Sequence, residues 1–67
     1  MKILMNTGVW LIAIIPTTGR LRICKVNGAM FEIASDHRLY AACVVERQPG
    51  TIAMLYQTLC EEYNVQL

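Results

Sequence analysis

Three apolar runs fill the first half of the chain, and each has the length of a β-strand. The first, residues 9–15, is continuously apolar and rich in β-branched side chains, which is typical of a strand covered on both faces or by a partner on one. The second and third, residues 20–26 and 29–34, flank the dipeptide Asn27-Gly28. Asn and Gly tolerate the positive φ that both central positions of a type I′ hairpin turn need. The pattern therefore predicts a three-stranded antiparallel meander.

A two-residue turn would also set which side chains of the hairpin share a face. It places Val26 opposite Ala29, Cys24 opposite Phe31 and Arg22 opposite Ile33. We expect one face to join the core, and its apolar members are Val26, Cys24, Ala29, Phe31 and Ile33. The other face is mixed and partly solvated, with Leu21, Ile23, Lys25, Met30, Glu32 and Ala34.

The second half of the chain changes to helical spacing. Ser35 is a good N-cap for a helix over residues 36–47, and the sequence Gln48-Pro49-Gly50 ends it. Thr51 can cap a second helix over residues 52–63, and Asn64 can end that helix in the left-handed conformation. One apolar stripe follows the second helix, at Ile52, Leu55, Tyr56, Leu59 and Tyr63. The predicted fold is a single α+β domain over residues 1–67, a three-stranded antiparallel meander followed by two helices, winged-helix-like.

Composition adds a question about partners. The chain is 55% hydrophobic and 16% charged, which is apolar for 67 residues, so either the core is unusually full or a partner covers apolar surface. The net charge of +1 gives no electrostatic footprint for nucleic acid. Residues 9–15 are too short for a membrane span. We therefore expect neither nucleic acid nor membrane as a partner.

The residues that usually carry catalysis or bind metal are sparse and scattered. Cys24, Cys43 and Cys60 are widely spaced, fit neither a zinc site nor a disulfide framework, and are expected to be small buried hydrophobes in a reduced, cytoplasmic compartment. His37 is the single histidine and is expected to face solvent or cap a helix. No nucleophile motif or glycine-rich phosphate loop is present. The prediction is a protein without catalytic residues, cofactor or metal.

The end of the chain carries a family resemblance. Residues 50–65 read Gly-Thr-Ile-Ala-Met-Leu-Tyr-Gln-Thr-Leu-Cys-Glu-Glu-Tyr-Asn-Val, which is similar to the pattern G-T-V-x-x-L-x-x-x-L-x-x-x-Y-x-V of PqqD-like peptide chaperones, the precursor-peptide recognition elements. The resemblance covers about residues 20–65. The chain departs from the family at Ala34-Ser35, where Leu-Asn is usual, and at Pro49, where an acidic residue precedes the glycine. The family's third helix has no counterpart among the predicted elements, so we expect either a shortened member of the family or a piece of a longer protein.

The resemblance implies a function as well as a fold. The leader of a precursor peptide would add as a strand to the edge of the third predicted strand and be presented to a peptide-modifying enzyme. The peptide-binding residues would be Met30, Phe31, Glu32, Ile33 and Ala34, with Arg22 and Lys25 attracting acidic leader residues. Without a third helix, a second copy of the chain or the partner enzyme would cover the groove.

Two other functions compete with peptide capture. The two predicted helices and the break between them would suit a winged-helix DNA-binding protein, but the exposed side of the second helix offers no Lys or Arg for phosphate contacts. A small assembly subunit that pairs through its strands is the other alternative, since a continuous apolar strand and bare strand edges favour association.

Overall fold

The computed structural model describes residues 1–65 and has an α+β fold. Its elements are β1 (Lys2–Asn6), β2 (Trp10–Ile14), β3 (Leu21–Lys25), β4 (Met30–Ile33), α1 (Tyr40–Val45) and α2 (Pro49–Glu62). The four strands form one antiparallel sheet in the order β1-β2-β3-β4. Among the described residues, no helix has the length and apolar character needed to cross a membrane.

The strand β1 is an addition to the three predicted strands. A tight connection turns β1 into β2: the Thr7 hydroxyl accepts hydrogen bonds from the backbone N–H groups of Val9 and Trp10, at 3.2 and 3.0 Å. A β-bulge interrupts the pairing, because Ile3 lies opposite Ala13 whereas Met5 lies opposite Ile12. The bulge breaks the alternation of a regular strand, which is why the pattern of residues 2–6 gave no strand signal.

The β3–β4 connection differs from the predicted type I′ turn. Asn27 has φ 59°, but Gly28 does not share the positive φ, and the Gly28 N–H donates to the Lys25 carbonyl at 3.0 Å. Four residues, 26–29, connect the two strands. The predicted register is therefore wrong by one residue. The observed pairs are Leu21–Ile33, Arg22–Glu32, Ile23–Phe31 and Cys24–Met30.

This register buries the larger apolar side chains together. Leu21 and Ile23 share the core face with Phe31 and Ile33, and all four are at most 7% exposed. Val26, predicted to lie in the core, is 54% exposed. A one-residue slip turns every side chain of a strand over, so burial of the aliphatic residues outweighed the local preference of Asn-Gly for a two-residue turn.

The hydrophobic core of residues 1–65 lies between one face of the sheet and the two helices. Its sheet members are Met5, Trp10, Ile12, Leu21, Ile23, Phe31 and Ile33; its helix members are Cys43, Ile52, Tyr56, Leu59 and Cys60. The opposite face, called the open face below, lies outside this cluster and carries Ile3, Leu11, Ala13, Arg22, Cys24, Met30 and Glu32.

Both helices begin elsewhere than predicted. Ser35 provides no cap; residues 35–39 form turns and α1 starts at Tyr40. Helix α2 starts at Pro49, since proline lacks the N–H that the first turn of a helix leaves unbonded. The predicted end is confirmed: Asn64 has φ 56°, and the N–H of Val65 donates to the Cys60 carbonyl at 2.7 Å, as in a Schellman motif.

Candidate functional site

The sheet has two edges, and they differ in regularity. β1 forms one edge and contains the bulge; β4 forms the other and pairs with β3 in an uninterrupted register. Within residues 1–65 no further strand pairs with the outer side of β4. An uncovered regular edge presents backbone donors and acceptors that a further strand can use. The β4 edge is therefore the candidate site.

Three contacts place the second half of α2 alongside β4. The Tyr56 hydroxyl donates to the Ala29 carbonyl at 2.7 Å, immediately before the strand. The ring of Tyr63 stacks on that of Phe31, with centroids 5.7 Å apart. Glu62 binds the side chains of His37 and Arg38, which follow the strand. These contacts lie before, within and after β4, so α2 and the residue that ends it support the strand along its length.

An aromatic cluster packs α2 against the sheet beside β4. Tyr56 meets Trp10 and Phe31 edge to face, with centroid distances of 5.2 and 5.3 Å. Burial raises the pKa of Tyr56, so its hydroxyl stays a proton donor to Ala29. The Lys25 ammonium lies 5.6 Å from the Trp10 centroid and 5.8 Å from that of Tyr56, within cation–π range.

Gly28 is needed here for space. A Cβ at this position would lie 2.7 Å from the Tyr56 hydroxyl oxygen and 3.3 Å from the Lys25 Cβ. Gly28 thus lets the Tyr56 hydroxyl approach the hairpin. The sequence had instead predicted that a glycine is needed here because it tolerates a positive φ.

Hydrogen bonds limit the length of the available edge. The Ala29 carbonyl accepts from Tyr56, and the Ala34 carbonyl accepts from the His37 N–H at 3.0 Å. The segment between these two engaged carbonyls is Met30–Ile33. An added strand therefore finds about one short strand length of backbone on β4.

The structure divides the predicted peptide-binding residues between two faces. Met30, 50% exposed, and Glu32, partly exposed, lie on the open face, while Phe31 and Ile33 point into the core. Ala34 follows the strand. The edge is thus flanked by one half-exposed apolar side chain on each face, since Tyr63, also 50% exposed, covers Phe31 on the helix side. Sequence reasoning had placed Tyr63 only in the apolar stripe of α2.

The two predicted cations do not come together. Arg22 lies on the open face, one strand in from the edge, where its guanidinium is 3.6 Å from the Glu32 carboxylate. Its Nε is buried and has no hydrogen-bond partner among residues 1–65. Lys25, three positions later, packs over Trp10 and Tyr56 on the other side of the sheet. The two charges therefore act on opposite faces.

A polar cluster closes the far end of β4. The ring Nδ1 of His37 accepts from the Leu39 N–H at 3.1 Å, so the neutral ring carries its proton on Nε2, which donates to Glu62 at 3.0 Å. Arg38 donates to the other oxygen of Glu62. The hydrogen bond from Arg38 and, to a smaller extent, the one from His37 lower the pKa of Glu62. His37 therefore caps a turn, but no sequence signal joined it to Glu62, 25 residues away.

The rest of the described surface offers little chemistry. A shallow depression of about 200 Å³ lies at the other end of the sheet, where Gly8, Val9 and Leu11 face Cys24 and Val26. Residues 1–65 hold no group of three or more His, Cys, Asp or Glu side chains placed to bind a metal ion. The three cysteines are free thiols; Cys43 and Cys60 are buried and Cys24 is partly exposed.

Comparisons with protein-family models, with curated proteins and with solved structures gave no match.

Proposed function

We propose that this chain is a non-catalytic peptide-binding module that captures an extended segment, such as the leader of a precursor peptide, as a fifth strand on β4. One observation carries the proposal: β4 is an uninterrupted edge strand with a half-exposed apolar side chain on each face, Met30 and Tyr63. Backbone hydrogen bonds from β4 would give affinity, and contacts to these two side chains would favour apolar neighbours in the peptide.

The position of α2 supports the resemblance to PqqD-like chaperones. The segment that carries the resemblance, residues 50–65, forms most of α2 and its end, and three contacts hold it beside β4. The fourth strand, β1, lies at the far edge of the sheet and leaves β4 accessible. The winged-helix-like part of the module would be β2 to β4 together with the two helices. The module would work in the cytoplasm and deliver the bound peptide to a modifying enzyme.

The test is an amide chemical-shift titration of the ¹⁵N-labelled chain with short Val/Thr-rich peptides that differ in their central residue. We expect saturable shifts at Met30–Ile33 and at Tyr63, because an added strand bonds the first and touches the second. The amide chemical shifts of Lys2–Asn6 on β1 should not change. Equal shifts at both edges, or none with any peptide, would refute the proposal.

A matched pair of variants separates the edges. Met30→Thr and Ile3→Thr each replace a half-exposed apolar side chain on the open face by a polar residue that still favours strands, one on β4 and one on β1. Met30→Thr should weaken peptide binding, whereas Ile3→Thr should leave it unchanged.

The open face favours a second candidate, an assembly subunit. Ile3 and Met30 are 58% and 50% exposed there, with Leu11 and Cys24 partly exposed between them. Exposed apolar side chains gathered on one face are typical of interaction surfaces. A dimer that forms at rising concentration and ignores every peptide would favour this candidate. Sedimentation measurements at rising concentration, on the wild type and on Ile3→Thr, show whether such a dimer forms and so decide between the assembly subunit and the peptide-binding module.

Duplex DNA is not proposed as a partner. Helix α2 contains no Lys or Arg, and its exposed positions include Gln57 and Glu61. A recognition helix needs cations or neutral donors near the phosphates, and carboxylates there repel them.

A further inference from the structure

Glu32 is the charged residue of the edge strand itself. It lies on the open face of β4, and its side chain is 33% exposed. A residue directly opposite Glu32 on an added strand would bring its Cβ to within about 5 Å, close enough for a long cation to reach the carboxylate. The charge of Glu32 therefore bears on any strand that adds to this edge.

Arg22 leaves much of the Glu32 carboxylate free. The one contact between them is 3.6 Å long, beyond the range of a strong charge-assisted hydrogen bond. A carboxylate has about four acceptor sites, and Arg22 reaches it from the β3 side. The outer side of Glu32 faces the position of an added strand, where a second cation can bind without displacing Arg22.

We infer that the captured peptide carries a Lys or Arg opposite Glu32, between residues whose side chains point to the helix side and meet Tyr63. This inference rests on the proposed function and names the kind of peptide. It differs from the acidic leader that the resemblance implied, because Arg22 lies one strand in from the edge and Lys25 lies on the other face. An acidic residue opposite Glu32 would place like charges side by side, which destabilises a strand pair.

A second copy of the chain does not supply this cation. Directly opposed residues in a sheet share a face, so in an antiparallel pair of β4 strands Glu32 lies opposite Met30, Glu32 or Ala34 of the other copy. None of these is basic. The charge therefore favours a different chain over self-association through β4.

Three otherwise identical Val/Thr peptides with Lys, Gln or Glu at the central position test the inference. Against the full-length wild type, followed by amide shifts of β4, the Lys peptide should bind about two- to five-fold more tightly than the Gln peptide, as for an exposed ion pair. The Glu peptide should bind most weakly. The preference should fade at high salt.

Variants assign the preference to one carboxylate. Glu32→Gln should bind the three peptides equally, and Glu32→Lys should prefer the Glu peptide. Glu61→Gln removes an equal charge from an exposed position of α2 and should keep the wild-type order. If all peptides bind β4 equally well to the wild type, the charge inference is wrong and peptide capture stands. If no peptide shifts β4, both fail; if self-association shifts it, the occupant is a second copy.

Discussion

Within residues 1–65, both edges of the sheet have unpaired backbone groups that another strand could bond, and the two edges differ in how far they discourage such pairing. β1 carries a bulge and begins with Lys2, and both features discourage pairing with another strand. Although β4 is short, it has no bulge, it is supported by α2, and its one charge, Glu32, makes only a 3.6 Å contact with Arg22 of the neighbouring strand. In the proposed function, the regular and supported β4 edge accepts the added strand, whereas the bulge keeps β1 single.

The largest expected difference between the edges is in stability. Phe31 is 7% exposed and lies between Tyr56 and Tyr63, so Phe31→Ala should lower the free energy of unfolding by about 3 kcal/mol. Ile3 is 58% exposed on β1, and Ile3→Ala should change it by less than about 0.5 kcal/mol. Urea denaturation measures both. Equal losses would mean that β4 is no better supported than β1.

A smaller effect is expected where the hairpin meets α2. Gly28→Ala should cost about 1–3 kcal/mol, because the new Cβ collides with the Tyr56 hydroxyl. The control is Gly50→Ala in the first turn of α2, where a Cβ meets nothing within 4 Å and no loss is expected. In a Tyr56→Phe background the cost of Gly28→Ala should shrink, which a double-mutant cycle detects. An unchanged cost would mean that the hydroxyl is not the obstacle.

The Glu62 cluster gives a pH dependence at the far end of β4. Hydrogen bonds from Arg38 and His37 hold the pKa of Glu62 below its ordinary value of 4.5 in the folded chain. The stabilisation is therefore complete above that value and is lost as the pH falls through the lowered folded pKa. Denaturation of wild type and Glu62→Gln across the acid range should show curves that converge at low pH. A constant gap between them would contradict the assignment.

The smallest effect concerns thiol reactivity on the two faces. Burial raises the pKa of Cys43 to about 11, so in the native chain at neutral pH it stays protonated and unreactive toward alkylating reagents. Cys24 is partly exposed on the open face and should be alkylated first. Mass spectrometry of peptides after brief alkylation measures the order. Protection of Cys24 that grows with protein concentration would support the assembly subunit instead.

The long helix was largely predictable from the sequence, and its contacts with the sheet were not. The stripe of α2 recurs over 14 residues with a period near 3.6, so burial of Ile52, Tyr56 and Leu59 is confirmed. The predicted start of α1 was wrong because residues 35–39 are held in turns by a contact with Glu62. Glu62 binds His37 from 25 residues away. Local capping signals carry no information about such a distant partner.

The candidate site was predictable only as a strand. The third predicted strand, residues 29–34, contains β4, and its position at the edge of the sheet follows from the meander. The assignment of Val26 and Cys24 to the core face was wrong because the turn at Asn27-Gly28 was predicted from the positive φ that these residues tolerate. In the structure, Gly28 instead leaves room for the Tyr56 hydroxyl. The part played by Tyr63 required the packing of α2 on Phe31.

The most direct test of the central claim is to find which edge a bound Val/Thr peptide touches, by intermolecular NOEs between the unlabelled peptide and the ¹³C,¹⁵N-labelled chain. Neighbouring strands lie about 4.8 Å apart, so in this four-stranded sheet a peptide on β4 is too far from β1 for both edges to report contact. We predict NOEs from the peptide to the amides of Met30–Ile33 and to the Tyr63 ring, and none to Lys2–Asn6. NOEs to β1 or to the open face in their place would contradict the account.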